Sequence, residues 1–115
     1  MQIIPILIVD DKQAAIDFYR HVFRAEVGQT LVETTQLFIQ GQSIGIRQAT
    51  ESHEKTQERI VLLAETAAPD VLEQNAIKHG AEVISPVDDD ESGLRLGRIS
   101  DPFGIQWILS TAFPR

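Results

Sequence analysis

Asp101-Pro102-Phe103-Gly104-Ile105-Gln106-Trp107-Ile108-Leu109-Ser110 joins a turn to an apolar, aromatic strand near the end of a 115-residue chain. Pro102 presets φ near about −65°, Gly104 accepts a positive φ, and the Asp101 side chain can bond back onto its own turn. Side chains two apart on a strand share a face, so Gln106, Ile108 and Ser110 go together. Trp107 faces the other way, where a helix would cover it.

Working outward, residues 94–100 read as the strand before this turn and residues 81–84 as another. Residues 67–79 read as a helix stopped by Gly80, and residues 59–65 as a strand buried on both faces. Residues 49–57 are polar and aperiodic, a linker. Before it, strands are expected at residues 25–33, 35–40 and 43–48, with Gly41-Gln42 turning the last pair. Ala15, Ile16, Tyr19, Val22 and Phe23 recur at helical steps over residues 12–23, with Asp10 or Asp11 as cap. Residues 1–9 form a nearly continuous apolar run, again a strand buried on both faces.

The order is strand, helix and three strands, written twice. At an offset of 56, Ile4 falls on Ile60, Leu7 on Leu63 and Ala25-Glu26-Val27 on Ala81-Glu82-Val83, giving five identities in the 24 pairs from Ile4 to Val27.

Composition narrows the partners. The apolar fraction of 43% supports one domain with its own core, and cysteine is absent. That absence removes thiolate zinc sites and cysteine nucleophiles. The net charge of −7 argues against a nucleic-acid backbone or an anionic membrane as partner, while a cationic small molecule is tolerated. There is no membrane-length apolar run and no signal-like N-terminus, so a cytoplasmic protein is expected. No P-loop, dinucleotide fingerprint or nucleophile elbow occurs.

The Asp101-Pro102-Phe103-Gly104 turn with its strand, together with Ala15-Ile16-Asp17-Phe18-Tyr19-Arg20-His21-Val22-Phe23, resembles the glyoxalase, bleomycin-resistance and extradiol-dioxygenase superfamily, the vicinal oxygen chelate proteins. The resemblance spans nearly the whole chain. It implies an α+β fold of two βαβββ modules, about residues 1–50 and 58–115 of a single domain. The modules would form a cupped mixed sheet with the helices on its convex side, and the chain a homodimer.

Metalloenzymes of that family bind a divalent ion through His or Glu on the first and last strands of each module. Carried onto this chain, those places fall at Ile4, Gly45, Ile60 and Ile108, with Ile44 or Ile46 as the alternatives to Gly45. None offers a lone pair for a metal. Neither metal nor other cofactor is therefore expected. His21, His53 and His79 read as surface residues, and Asp88-Asp89-Asp90-Glu91 as a solvated acidic loop without the spacing of a calcium loop.

The residues expected to line the cup are Phe38, Arg47, Gln106, Ile108 and Ser110, with Ser43, Gln36 and Gln40 nearby. Arg95 and Arg98 rank below Arg47. Such a surface suits non-catalytic binding of a small, apolar or cationic molecule. The rival reading is a lyase, isomerase or dioxygenase, metal-dependent or not.

Overall fold

The computed structural model describes residues 2–50 and 60–112. Residues 1–56 and 57–115 form two compact units, each with one helix and one four-stranded mixed sheet.

The first unit runs β1 (Ile6–Val9), α1 (Lys12–Phe23), β2 (Glu26–Leu31), β3 (Thr34–Ile39) and β4 (Gln42–Gln48). Its sheet order is β1-β4-β3-β2, with β1 parallel to β4 and the other pairs antiparallel. Asp11 starts α1 by accepting the Ala14 amide at 3.0 Å. Ala15, Ile16, Phe18, Tyr19, Val22 and Phe23 form the helix's buried stripe. Leu7, Val9, Leu37, Ile44 and Ile46 answer it from the sheet and are equally buried. Each such aliphatic side chain stabilises the fold by roughly 1.5–3 kcal/mol.

The second unit runs β5 (Val61–Glu65), α2 (Pro69–Lys78), β6 (Glu82–Asp89), β7 (Arg95–Ser100) and β8 (Gln106–Ser110), in the order β5-β8-β7-β6. Pro69 stands in the first turn of α2, where its missing N–H costs nothing. Ile99, Trp107 and Leu109 fill the core. Two register shifts bend β6. In the bend the Val87 amide donates to the buried Glu73 carboxylate of α2 at 2.8 Å. A Cβ on Gly97 would come within 2.7 Å of the Val87 backbone, so only glycine lets β6 cross β7 here.

The Asp101 turn is the most densely bonded corner of this unit. Its buried carboxylate accepts the Phe103 and Ile105 amides at 3.0 Å each through Oδ1, and the Trp107 indole N–H at 2.9 Å through Oδ2. Gly104 takes φ +85°.

Several boundaries differ from the sequence reading. β1 begins at Ile6, and Ile3 and Ile4 ahead of it are exposed; β5 likewise begins at Val61, after a half-exposed Ile60. Neither is a strand buried on both faces. The β3–β4 turn is Gln40-Gly41, both at positive φ, rather than Gly41-Gln42. β6 extends through Asp88 and Asp89, because Asp89 pairs with Arg95 across the hairpin. The expected linker lies almost wholly outside the described residues, as does His53.

Replacing Asp101 by Ala removes three charge-assisted bonds at once and is expected to cost about 3–5 kcal/mol in urea unfolding. Trp107→Phe leaves one carboxylate oxygen without its donor and should cost about 1–3 kcal/mol. Equal and small losses from both would show that the turn closes without them.

Candidate functional site

Cross-strand partners point to the same side of a sheet, so the registers assign every side chain to a face. In the first unit the side away from α1 carries Ile6, Gly45 and Gln36 in one row, Ile8, Arg47 and Thr34 in the next, and Ser43, Phe38 and Glu26 in a third. In the second unit the side away from α2 carries Val61, Gln106, Ser100 and Glu82. Beside them run Leu63, Ile108, Arg98 and Ser85, then Glu65, Ser110, Leu96 and Asp88. Phe38, Arg47, Gln106, Ile108 and Ser110 thus all lie on the sheet faces turned from the helices. Gln40 is in the β3–β4 turn instead.

Their surroundings separate them. Phe38 is 36% exposed, and a Cβ on Gly28 would meet its ring at 2.8 Å, so that glycine makes room for the aromatic side chain. Gln36 donates to Ser43 Oγ at 2.8 Å. Ser110 is fully buried and donates to the Ala112 carbonyl at 2.7 Å. Gln106 and Ile108 are half-buried.

Arg47 is occupied with its own unit. Its Nε donates to Thr34 Oγ1 at 2.9 Å and its Nη2 to the Val32 carbonyl at 3.1 Å. The Lys12 ammonium donates to the neighbouring Glu33 carbonyl at 3.0 Å. Val32 and Glu33 form a two-residue hairpin turn at φ 47° and 67°, a conformation that favours Asn and Gly and strains a β-branched residue. The two cations hold that strained turn closed from either side.

The registers also test the places at which the resembling metalloenzymes put their donors. Gly45 and Ile108 lie on the expected faces, whereas Ile44 and Ile46 belong to the core. Ile4 precedes β1 and is 40% exposed. Ile60 is on the wrong parity: Leu62 and Ala64 pair with the core residues Trp107 and Leu109, so the outer face of β5 carries Val61 and Leu63. The gapless offset fails here because residues 10–11 join β1 to α1 while residues 66–68 join β5 to α2. A one-residue slip exchanges the faces of a strand. At Gly45 and Ile108, the two places whose strand faces agree, neither residue offers a lone pair, which does not fit the family's metal. Among the described residues, no three His, Cys, Asp or Glu side chains gather in an arrangement able to hold an ion.

Several other titratable groups are tied up locally. His21 and His79 each place Nδ1 against the carbonyl four residues earlier, on Asp17 and Asn75. The acidic stretch is part strand and part turn rather than a free loop. Asp90 accepts from the Ser92 and Leu94 amides and from the Ser92 hydroxyl, which together hold its carboxyl below the ordinary range, the hydroxyl most strongly. Asp70 on α2 grips Arg95 through two bonds of 2.7 and 2.8 Å, and that guanidinium lowers its pKa. A shallow depression along α2, lined by Asp70, Val71, Gln74, Asn75 and Lys78, contains none of the sheet-face residues.

From the sequence, Arg98 ranks below Arg47. Its register opposite Ile108 puts it in the middle row of the second unit's outer face, with its Nε buried and without a hydrogen-bond partner. Alternation within β7 was visible in the sequence; the pairing of β7 with β8 was not.

A model of the Glyoxalase/Bleomycin resistance protein/Dioxygenase superfamily matches residues 2–109. No curated protein matches the chain. Among solved structures it is similar to TioX from Micromonospora sp. ML1, at 17% identity over 98% of this chain and 99% of that one, with a TM-score of 0.78. It is also similar to the fosfomycin resistance protein FosX from Listeria monocytogenes, at 21% identity over 98% and 93% of the two chains and a TM-score of 0.76. A third is a glyoxalase/bleomycin resistance protein/dioxygenase family enzyme from Burkholderia phytofirmans PsJN, at 19% identity over 91% and 93%, with a TM-score of 0.77. At these identities the likeness is one of fold.

Arg47→Ala is expected to lower stability by about 1–2 kcal/mol in thermal unfolding, because it frees a strained turn. Combining Val32→Asn with Glu33→Gly should raise stability by about 1–2 kcal/mol and shrink the cost of Arg47→Ala. An unchanged cost in that background would mean Arg47 stabilises something other than the turn.

Proposed function

The chain belongs to the glyoxalase/bleomycin resistance protein/dioxygenase superfamily, and we propose that within it this protein is a non-catalytic binder of a small, partly apolar molecule. The observation that carries the reading is Ile108. It stands between Leu63 and Arg98 on the outer sheet face, where a metalloenzyme of the family would need a carboxylate or imidazole. Val61, Leu63, Ile108 and Leu96 give this face apolar ground among polar neighbours, which suits a ligand that is held and oriented. Ile108 itself offers no ligand for a metal that would polarise an oxygen or lower the pKa of a bound water. A structural neighbour, the E126Q mutant of FosX from Listeria monocytogenes, has been seen with Mn(II) and 1S,2S-dihydroxypropylphosphonic acid. Ile108 and Gly45 of this chain carry no donor for such an ion.

The protein works as a homodimer in the cytoplasm under this reading. Exposed Val27 and Leu31 on edge strand β2, with Val83 and Ile84 on edge strand β6, support the dimer. Apolar side chains on an unpaired edge invite a second chain. Neither described helix is long and apolar enough to cross a membrane.

Elemental analysis of protein purified without chelator should find no stoichiometric zinc, nickel, iron or manganese, and titration with toluene should move the methyl resonances of Leu63 and Ile108. One transition metal per chain, retained through desalting and lost together with an activity on chelation, would establish the enzymatic alternative.

Light scattering should give the mass of two chains at micromolar concentration. A monomer mass that does not change with concentration would refute the dimer.

A further inference from the structure

We propose that Arg98 is the anchor of the binding face and that it selects a ligand with a single carboxylate on an apolar body. The inference rests on the binding reading above and names the chemical class that the face takes.

Arg98 Nε is shut off from solvent and has no hydrogen-bond partner. Buried polar atoms are almost always satisfied, so an orphaned donor on a charged group needs an explanation. Core packing does not provide one, because Arg98 lies on the side of β7 turned from α2, between Ser85 of β6 and Ile108 of β8. The other arginine on this strand shows the contrast. Arg95 is engaged by Asp70 and Asp89, with bonds from Nε, Nη1 and Nη2. Arg47 in the first unit is likewise committed to Thr34 and Val32. Among these three, Arg98 alone has a buried Nε without a hydrogen-bond partner.

The chemistry of that edge defines the guest. Nε–H and one Nη–H form a planar fork whose spacing matches the two oxygens of a carboxylate. Ile108 and Leu63 continue the same row as an apolar floor, with Gln106 diagonal to Arg98. Charge decides between a monoanion and a more highly charged group. Glu82, Asp88 and Glu65 stand in the adjoining rows of this face, and Nε remains unpartnered despite them. They repel a second negative charge, which disfavours a phosphate dianion. The chain's net charge of −7 tolerates a cation, but the group at the centre of the face is a guanidinium and calls for the opposite sign.

Benzoate, with toluene as its uncharged counterpart, tests this in the full chain. The probes are the arginine side-chain Nε–H resonances and the methyl resonances of Leu63 and Ile108. Benzoate should move the Arg98 Nε–H signal to saturation. Arg98→Lys keeps the charge and loses the fork; it should weaken benzoate at least tenfold while leaving the toluene response unchanged. Ile108→Glu places a carboxylate directly opposite Arg98, and it should shift the same Nε–H signal without any probe and abolish benzoate binding. Benzoate that moves the methyl signals without the Arg98 signal, or binds Arg98→Lys as tightly as the parent, overturns the proposal. Toluene binding without benzoate binding sinks this inference alone. If both probes leave Leu63 and Ile108 unmoved, the binding reading falls as well.

Discussion

The carboxylate of Asp101 is the constraint on which the second unit depends. Buried and charged, it would be prohibitively costly without donors, and the turn supplies them from the Phe103 and Ile105 amides and the Trp107 indole. Those bonds do more than close a loop. By tying Trp107 to the turn they fix which way β8 starts, so that Trp107 and Leu109 enter the core opposite Ile99 and Gly97. Gln106, Ile108 and Ser110 are thereby sent to the outer face. Because a one-residue slip would exchange the two sets, the bonds that secure the core also decide the composition of the candidate site.

A second device sets the other edge of that sheet. Gly97 has no Cβ, so β6 can fold over β7 with Val87 in the space, and Glu73 of α2 accepts the Val87 amide that the bulge releases from the ladder. An unshifted continuation of the Glu82–Ser100 register would set Ile84 opposite Arg98; the shift between Val83 and Ser85 brings Ser85 there instead, and the second shift, around Val87, sets Asp88 opposite Leu96. The irregular course of β6 therefore gives Arg98 a serine as its cross-strand neighbour.

Local signals were legible in the sequence and cross-strand registers were not. α1 is where the periodicity placed it, Lys12 to Phe23, because cap, apolar stripe and termination agree. The Asp-Pro-x-Gly turn and the alternation of β8 also put Gln106, Ile108 and Ser110 on a shared face. The reading failed where tertiary pairing outweighs composition. The runs at residues 1–9 and 59–65 are apolar throughout, so nothing in them marks where pairing begins or which parity faces the helix. The Val32-Glu33 turn carries no turn-forming residue, so the strain that occupies Arg47 was invisible, and Arg47 looked freer than Arg98. The acidic stretch is solvated as expected, but it read as a loop because charge alone says nothing of a hairpin partner such as Arg95.

The two sheet faces show how a fold shared with metalloenzymes can hold a different chemistry. A metal site needs several donors converging on one point, and each must be oriented by further bonds. Without them a charge among alkyl neighbours has a different value: an arginine beside such groups is poorly compensated by water, so a ligand able to complete its bonds gains more there than at a solvated surface. On the first unit's face that opportunity is closed, since Gln36 and Ser43 satisfy each other and Arg47 serves the turn. On the second unit's face Ser110 turns to the Ala112 carbonyl and Ser100 to that of Asp101, and among the described residues Arg98 keeps a buried side-chain nitrogen without a partner. In the proposed binding mode recognition would thus concentrate on one residue of one unit, since a single oriented fork beside apolar groups is enough to give a bound molecule one preferred orientation.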